Sequence, residues 1–379
     1  MKAILVIIDG LGDDKIEEFG NKTPYEYAGT PCMERLASQG KSGCFEVCPP
    51  QFTPESMVCI LNLLQLDRRF FTGGRAYFEL LSHGYAINDE QIVLRCNLAA
   101  ADQNNSLVSF NGGSLNSNDI EQISKQIKSN SSTQFIHLSG YRNLIIMNKS
   151  DFKNLECKTF PPHEFVGENL SFLLSDIYSS SAVLTNFLQE SNNVLSKFND
   201  PKYRYYLHPW GISKKTELPS FEKLYHKKAA AVCAAEIARG IAIALDMYLP
   251  KLSGATSDID TNLAEKAQIT CKMLDKHDFV LVHINGADEA SHRHNYKQKT
   301  EFIENIDKTY FSYLLENIGC KTKIMICADH STSSLSGKHT LTPVPFIISE
   351  IHGKKNSISF NKDISAKDTF DYLLSQDGL

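Results

Sequence analysis

Four continuous apolar runs constrain this chain more than anything else in it: residues 3–8 (AILVII), 278–284 (DFVLVHI), 322–328 (TKIMICA) and 344–349 (VPFIIS). Each has the length of a strand, and none alternates apolar with polar residues as a half-solvated strand would. Such runs read as strands buried on both faces, the habit of parallel sheets. Residues 228–234 (KAAAVCA) read the same way. Helical segments separate the runs. In residues 30–40, Thr30 is placed to cap, Pro31 suits the first turn and Gly40 stops the helix. Residues 54–66 (PESMVCILNLLQL) read as a buried helix with Ser56 near its N-terminus, and 235–247, 261–276 and 298–317 as further helices. The β-α-β-α order predicts an α/β fold, a mostly parallel sheet with helices on both faces.

The pattern breaks between residues 94 and 167. Here 91–101 and 106–110 read as strands, 117–127 as an amphipathic helix capped by Ser117 or Asn118, and 134–138 and 143–147 as strands. That block is expected to be a small inserted α+β domain, leaving 1–93 and 168–379 as the core. A length of 379 residues suits this division, at about 150 residues per domain.

Composition narrows the function classes. A net charge of -5 offers nothing to nucleic acid or an acidic membrane surface. The ten cysteines show no disulfide or zinc-ribbon spacing and read as scattered core thiols in a reducing compartment. The first apolar run stops at Asp9, too short for a signal peptide, and no run is long enough to span a membrane. The expectation is a soluble cytoplasmic protein.

Three of the strands end in acids and histidines. The first runs into Asp9, the second into Asp288 and His292, the third into Asp329 and His330, while His339 precedes the last strand. Ligands of parallel sheets sit beyond the carboxyl ends of strands, so these groups are placed to converge. The four-residue spacing of Asp288 and His292 puts both on one face of a helical turn. Mixed carboxylate and imidazole donors suit manganese, zinc or iron. Six such residues exceed one zinc-like ion and fit two divalent ions ~4 Å apart, the arrangement that clamps an in-line phosphoryl displacement. Ser56 adds a hydroxyl at a helix N-terminus, where backbone N–H groups favour an anion and a bound metal would make it a nucleophile. Taken singly, each of these residues has an ordinary structural explanation. Glu289, His294 and His163 keep theirs, as exposed residues.

Several segments, in order, resemble one family. "MKAILVIIDGLGDDKIEEFGNKTPYEYAGTPCMERLASQG", "FTGGRAYFE", "PPHEFVGENL", "HPWGISKKTELPSFEKLY", "SGATSDIDTNLAEK", "HINGADEASH" and "ADHSTSS" are similar to the archaeal-type, cofactor-independent phosphoglycerate mutases of the alkaline phosphatase superfamily. The likeness covers nearly the whole chain. It implies an alkaline-phosphatase-like core with a small insert closing over the active site, and interconversion of 2- and 3-phosphoglycerate through a phosphoserine at Ser56. By the same resemblance Asp9, Ser56, Asp329 and His330 hold one metal, and Asp288, His292 and His339 the other. The ions would be manganese or zinc, with magnesium as a third choice. Arg75, Arg95 and Arg142 fall in or near segments that contact the small phosphorylated substrate, and guanidinium groups suit its phosphate or carboxylate.

The sequence also departs from that family. Met57 and Ile60 stand where an acid and a histidine follow the nucleophile, and "TGGRAY" replaces Thr-Gly-Arg-Gly-Pro with one residue inserted. These changes leave the metal residues intact and bear on the substrate. Two alternatives stay open: a phosphatase or phosphotransferase for another small phosphate or phosphonate, and a catalytically silent binding module.

Overall fold

The computed structural model describes residues 1–352 and 364–375. The chain divides into two compact units, Met1–Thr72 with Leu218–Leu379, and Gly73–Glu217.

The first unit is built on a six-stranded sheet, in the order Lys41–Phe45, Val344–Ile351, Thr322–Cys327, Lys2–Ile8, Phe279–Ile284, Ala229–Val232. The last four of these run parallel, and Val344–Ile351 pairs antiparallel with both its neighbours. Phe279–Ile284 and Thr322–Cys327 are buried at every position, as continuous apolar runs require. Helices Glu236–Ala244 and Ala366–Leu374 each pack against Ser56–Leu63, while Pro31–Gln39 and Leu263–Lys276 both pack against the helical residues Ile306–Phe311. The segment expected as one helix over 298–317 is helical throughout, but residues Ile306–Phe311 widen into a π-turn between Tyr296–Asn305 and Ser312–Asn317.

That widened turn has a structural use. Thr30 precedes the helix Pro31–Gln39 but makes no side-chain cap. Asp307, buried in the π-turn, accepts instead from the N–H groups of Cys32 and Met33 at 3.0 and 2.8 Å. A carboxylate suits the positive end of a helix better than a hydroxyl. Elsewhere Lys299, fully buried, joins the Asp13 carboxylate at 2.6 Å and donates to the carbonyls of Gly12 and Thr332. It ties the loop after the first strand to the residues beyond Thr322–Cys327.

The second unit carries a five-stranded sheet, with Gln91–Ala101 pairing antiparallel to Leu107–Ser109, Arg142–Asn148 and Arg204–Lys214, and Thr133–Ser139 at its edge. It extends beyond the expected 94–167 on both sides. Arg204–Lys214 pairs along nearly the whole of Gln91–Ala101, and helix Ala182–Leu195 covers the face lined by Ile92, Leu94, Cys96 and Leu98. The helix Ser117–Gln126 is capped by neither Ser117 nor Asn118. Asn116 caps it, accepting from Asn118 and Asp119, while Asp119 accepts in return from the Asn116 N–H. All ten cysteines are free, four of them buried.

Replacing Asp307 with alanine strands two backbone N–H groups at the helix start, one buried and one half-buried. Asp307→Ala should lower the urea unfolding free energy by about 1–3 kcal/mol with an unchanged slope; a midpoint matching wild type would show that Thr30 or water serves as well.

Candidate active site

Parallel pairing sets the site. Ile7 lies opposite Cys327 on one side and His283 on the other. Side chains alternate along a strand, so Asp9 and Asp329, two residues further on, point to the same face as these three. Gly10 then turns with a φ of +70°, and a Cβ there would fall 2.7 Å from the Asp288 Cα. Only glycine lets the Asp9 loop lie this close to the helix Gly286–His292.

The seven residues singled out in the sequence, Asp9, Ser56, Asp288, His292, Asp329, His330 and His339, are brought together. Asp288 Oδ2 is 3.1 Å from His292 Nε2, and its Oδ1 is 3.5 Å from His339 Nε2. The two imidazoles stand 3.2 Å apart through their Nε2 atoms. His330 Nε2 is 3.5 Å from both Asp9 Oδ1 and Asp329 Oδ2, and 3.2 Å from Ser56 Oγ. His339 rides on a short hairpin, Ser331–Ser333 with Lys338–Thr340, which stacks its ring 3.9 Å from that of His330. The outward nitrogens are held too. His292 Nδ1 bonds the Gly337 carbonyl and His339 Nδ1 the Pro54 carbonyl, each at 2.8 Å, and Thr332 donates to Asp288 Oδ1 at 2.6 Å. Such outer partners fix which nitrogen faces inward.

In the second unit a separate cluster forms on Glu79. This carboxylate, 2% exposed, receives Arg75 Nε at 2.9 Å and Arg95 Nε at 3.0 Å. The Arg95 guanidinium lies 4.0 Å over the Trp210 ring, whose indole N–H donates to Asn97. Arg142 is the cross-strand partner of Asn97 and donates to Ser139 Oγ at 2.8 Å. Cross-strand partners share a face, so Arg95, Asn97 and Arg142 stand on one side of this sheet.

A family profile described as Metalloenzyme superfamily matches residues 1–371. The 2,3-bisphosphoglycerate-independent phosphoglycerate mutase of Thermococcus kodakarensis is 31% identical over 365 residues, 92% of this chain and 88% of that protein. The chain belongs to the metalloenzyme superfamily, among the cofactor-independent phosphoglycerate mutases. Its fold resembles the PH0037 protein of Pyrococcus horikoshii with a TM-score of 0.72, at 26% identity over 92% of this chain and 87% of that one. The cofactor-independent phosphoglycerate mutase of Thermoplasma acidophilum shares the fold at a TM-score of 0.61 and 21% identity, over 99% of each chain.

The charges of this superfamily member ask for cations. Among the described residues, nine buried side-chain polar atoms lack a hydrogen-bond partner, and six of them belong to Asp9, His283, Asn285 and Asp329. Burial and the neighbouring charges of Asp329 and Asp288 push the Asp9 carboxyl well above the usual range. Asp288 would rise through burial as well, but hydrogen bonds from His292 and His339 hold it well below. His292 in turn is raised to about 9 by its bond to Asp288. Carboxylates crowded in low dielectric with orphaned oxygens fit divalent metal ions.

Other placements differ from the sequence reading. Glu289 is half-buried, not exposed, and burial together with the Asp288 charge raises its carboxyl. His294 is exposed and bonds the Leu335 carbonyl; His163 is exposed, beside Glu164 and Trp210. Sequence reasoning missed His283 and Asn285, which donates to Asp9 Oδ2 at 2.9 Å. A histidine inside an otherwise apolar buried strand was the available signal.

Ligation needs a neutral imidazole, and in the metal-free chain His292 keeps its proton up to about pH 9. Manganese affinity measured by calorimetry should therefore climb between pH 7 and 9. A raised histidine pKa adds stability below its ordinary value, and that contribution disappears as pH passes the folded value. Metal-free protein should thus lose stability over the window from about pH 6.5 to 9. A flat affinity profile would refute His292 as a ligand.

Proposed function

We propose that this chain transfers a phosphoryl group through Ser56, and that its substrate is a phosphoglycerate interconverted between its 2- and 3-isomers. The observation that carries this reading is the position of Ser56, the first residue of the helix Ser56–Leu63, with its hydroxyl 3.2 Å from His330 Nε2 inside the acid–imidazole cluster. No side chain caps that helix, so its first N–H groups are available to a phosphate. The matching relatives are named as mutases of this kind, and the donor set in this chain is complete for two ions.

Two divalent ions, when bound, supply the positive charge that makes the Ser56 hydroxyl a nucleophile and offsets charge on the transferring group. By the family resemblance, Asp9, Asp329, His330 and Ser56 would hold one, and Asp288, His292 and His339 the other. Ser56 Oγ attacks phosphorus in line, and the bond to the glycerate oxygen breaks as the phosphoserine forms. The glycerate offers its other hydroxyl, which takes the phosphoryl group back and restores Ser56. The family resemblance makes Arg75, Arg95 and Arg142 candidates for the substrate's anionic groups, and within the second unit Glu79 holds Arg75 and Arg95 in place. A second reading, hydrolysis, draws support from Met57 and Ile60. Both are buried apolar residues beside the nucleophile and bring no acid or base to a returning hydroxyl.

Phosphorus NMR of the manganese-loaded protein with 3-phosphoglycerate separates the two. A growing 2-phosphoglycerate signal without inorganic phosphate is the mutase outcome. Inorganic phosphate alone establishes a phosphatase, and an unchanged spectrum with metal bound removes phosphoglycerate as the substrate. Ser56→Ala should lose at least about 10⁴-fold in kcat; turnover within tenfold of wild type would eliminate the phosphoserine. Glu79→Gln keeps a hydrogen bond but drops the charge. It should raise KM about tenfold while kcat moves less, the cost of one weakened charge-assisted contact.

A further inference from the structure

We propose that His283 is a ligand of the ion held by Asp9 and Asp329, so that this ion takes two imidazoles, from His283 and His330, where the family resemblance gives it one. The inference rests on the metal-centre reading above and adds a residue to it.

His283 is 2% exposed, in a strand whose other members are all apolar. Its register partner on the first strand is Ile7, which in turn pairs with Cys327. Strand alternation aims all three toward the face that holds Asp9 and Asp329. Further back on the same face, Phe279 packs against Phe221 and Phe370, so an aliphatic side chain at 283 would continue that apolar layer. An imidazole there loses water on both ring nitrogens and gains no protein partner for either. Burying polar atoms unpaired is unfavourable, and native structures reserve it for sites that something else completes.

The surrounding atoms identify what completes it. Asp9 Oδ1 and both oxygens of Asp329 are also without partners, and all three are acceptors. One ligand atom each from Asp9, His283 and Asp329 fall within 4.8 Å of one another. His283 Nε2 is 3.7 Å from Asp9 Oδ2, too long for a hydrogen bond. Two ligands at about 2.1 Å from one ion are separated by roughly 3–4 Å, so this spacing suits a shared cation. Asn285 donates to Asp9 Oδ2 at 2.9 Å, which leaves that oxygen a second lone pair and leaves Oδ1 entirely for the ion. A proton shared between Asp9 and Asp329 would quiet one oxygen but leave both histidine nitrogens unmet. A divalent cation with borderline character, which accepts imidazole as well as carboxylate, answers both groups.

The test uses the full chain stripped by chelation and titrated with Co²⁺, followed by calorimetry and visible absorption, beside His283→Leu and His292→Ala. Wild type should bind two ions. His283→Leu should lose about 10–100-fold in affinity for one of them, with a changed absorption band, on the scale of removing a supporting residue at a metal site. His292→Ala should weaken the other ion. Without metal, His283→Leu should melt no lower than wild type, because a hydrocarbon replaces an unpartnered imidazole. A variant that binds both ions as wild type does overturns the proposal, whatever its stability. Wild type that binds no Co²⁺ removes the metal centre itself and this proposal with it, a result distinct from the failure of His283 alone. If the leucine variant does not fold, proton NMR of Co²⁺-loaded wild type decides. Four metal-shifted histidine ring N–H signals, from His283, His292, His330 and His339, support the proposal; three overturn it.

Discussion

Mutual repulsion among buried carboxylates is the constraint around which the first unit is arranged. Asp9, Asp288 and Asp329 are each 7% exposed or less, and two ionised groups within a few ångströms cannot both stay charged in such a medium without compensation. Parallel pairing forces Asp9 and Asp329 side by side, and Gly10 brings Asp288 against them. The loops that carry these residues need firm anchoring, because a centre of like charges pushes itself apart. Lys299 supplies one anchor by binding Asp13 and the carbonyls of Gly12 and Thr332. The hairpin that presents His339 supplies another through the Pro54 carbonyl.

The two halves of the centre balance charge differently. Asp288 has its own cation in His292, which faces Oδ2 and forms an acid–imidazolium pair before any metal arrives, while His339 lies beside Oδ1. Asp9 and Asp329 have no such relief. Burial also disfavours the charged form of His330 and drives that of His283 down to about 4. One half therefore carries an internal countercharge, and the other does not. The Glu79 cluster reverses the signs. There one carboxylate holds two guanidinium groups.

Much of this was legible in the sequence, and for definite reasons. Continuous apolar runs ending in or near Asp9, Asp288 and Asp329 indicated the sheet and the end at which these acids and histidines cluster, since both follow from local pattern. His339 could be placed because little chain separates it from His330. The extent of the second unit was not legible. Arg204–Lys214 contains a proline, a glycine and several polar residues, and only its partner Gln91–Ala101 makes it a strand. Caps failed similarly. Thr30 has the right chemistry, yet Asp307, some 275 positions away, takes its place, and no local rule reaches so far. His283 was overlooked because one polar residue does not disturb the apolar reading of a strand.

The order of the clustered acids, imidazoles and Ser56 along the chain has a consequence for how the protein is made. Asp9 and Ser56 emerge early, whereas Asp288, His292, Asp329, His330 and His339 all lie near the other end. The second unit, contiguous from Gly73 to Glu217, has every residue it needs before the strand Phe279–Ile284 exists. On a ribosome adding about 5–20 residues per second, the first acid waits on the order of tens of seconds for its neighbours. During that time its strand is a bare hydrophobic ribbon with no partner on either edge. A nascent chain of this design is exposed to aggregation, and to chaperone capture, at the strand Lys2–Ile8 until Phe279–Ile284 and Thr322–Cys327 have been made.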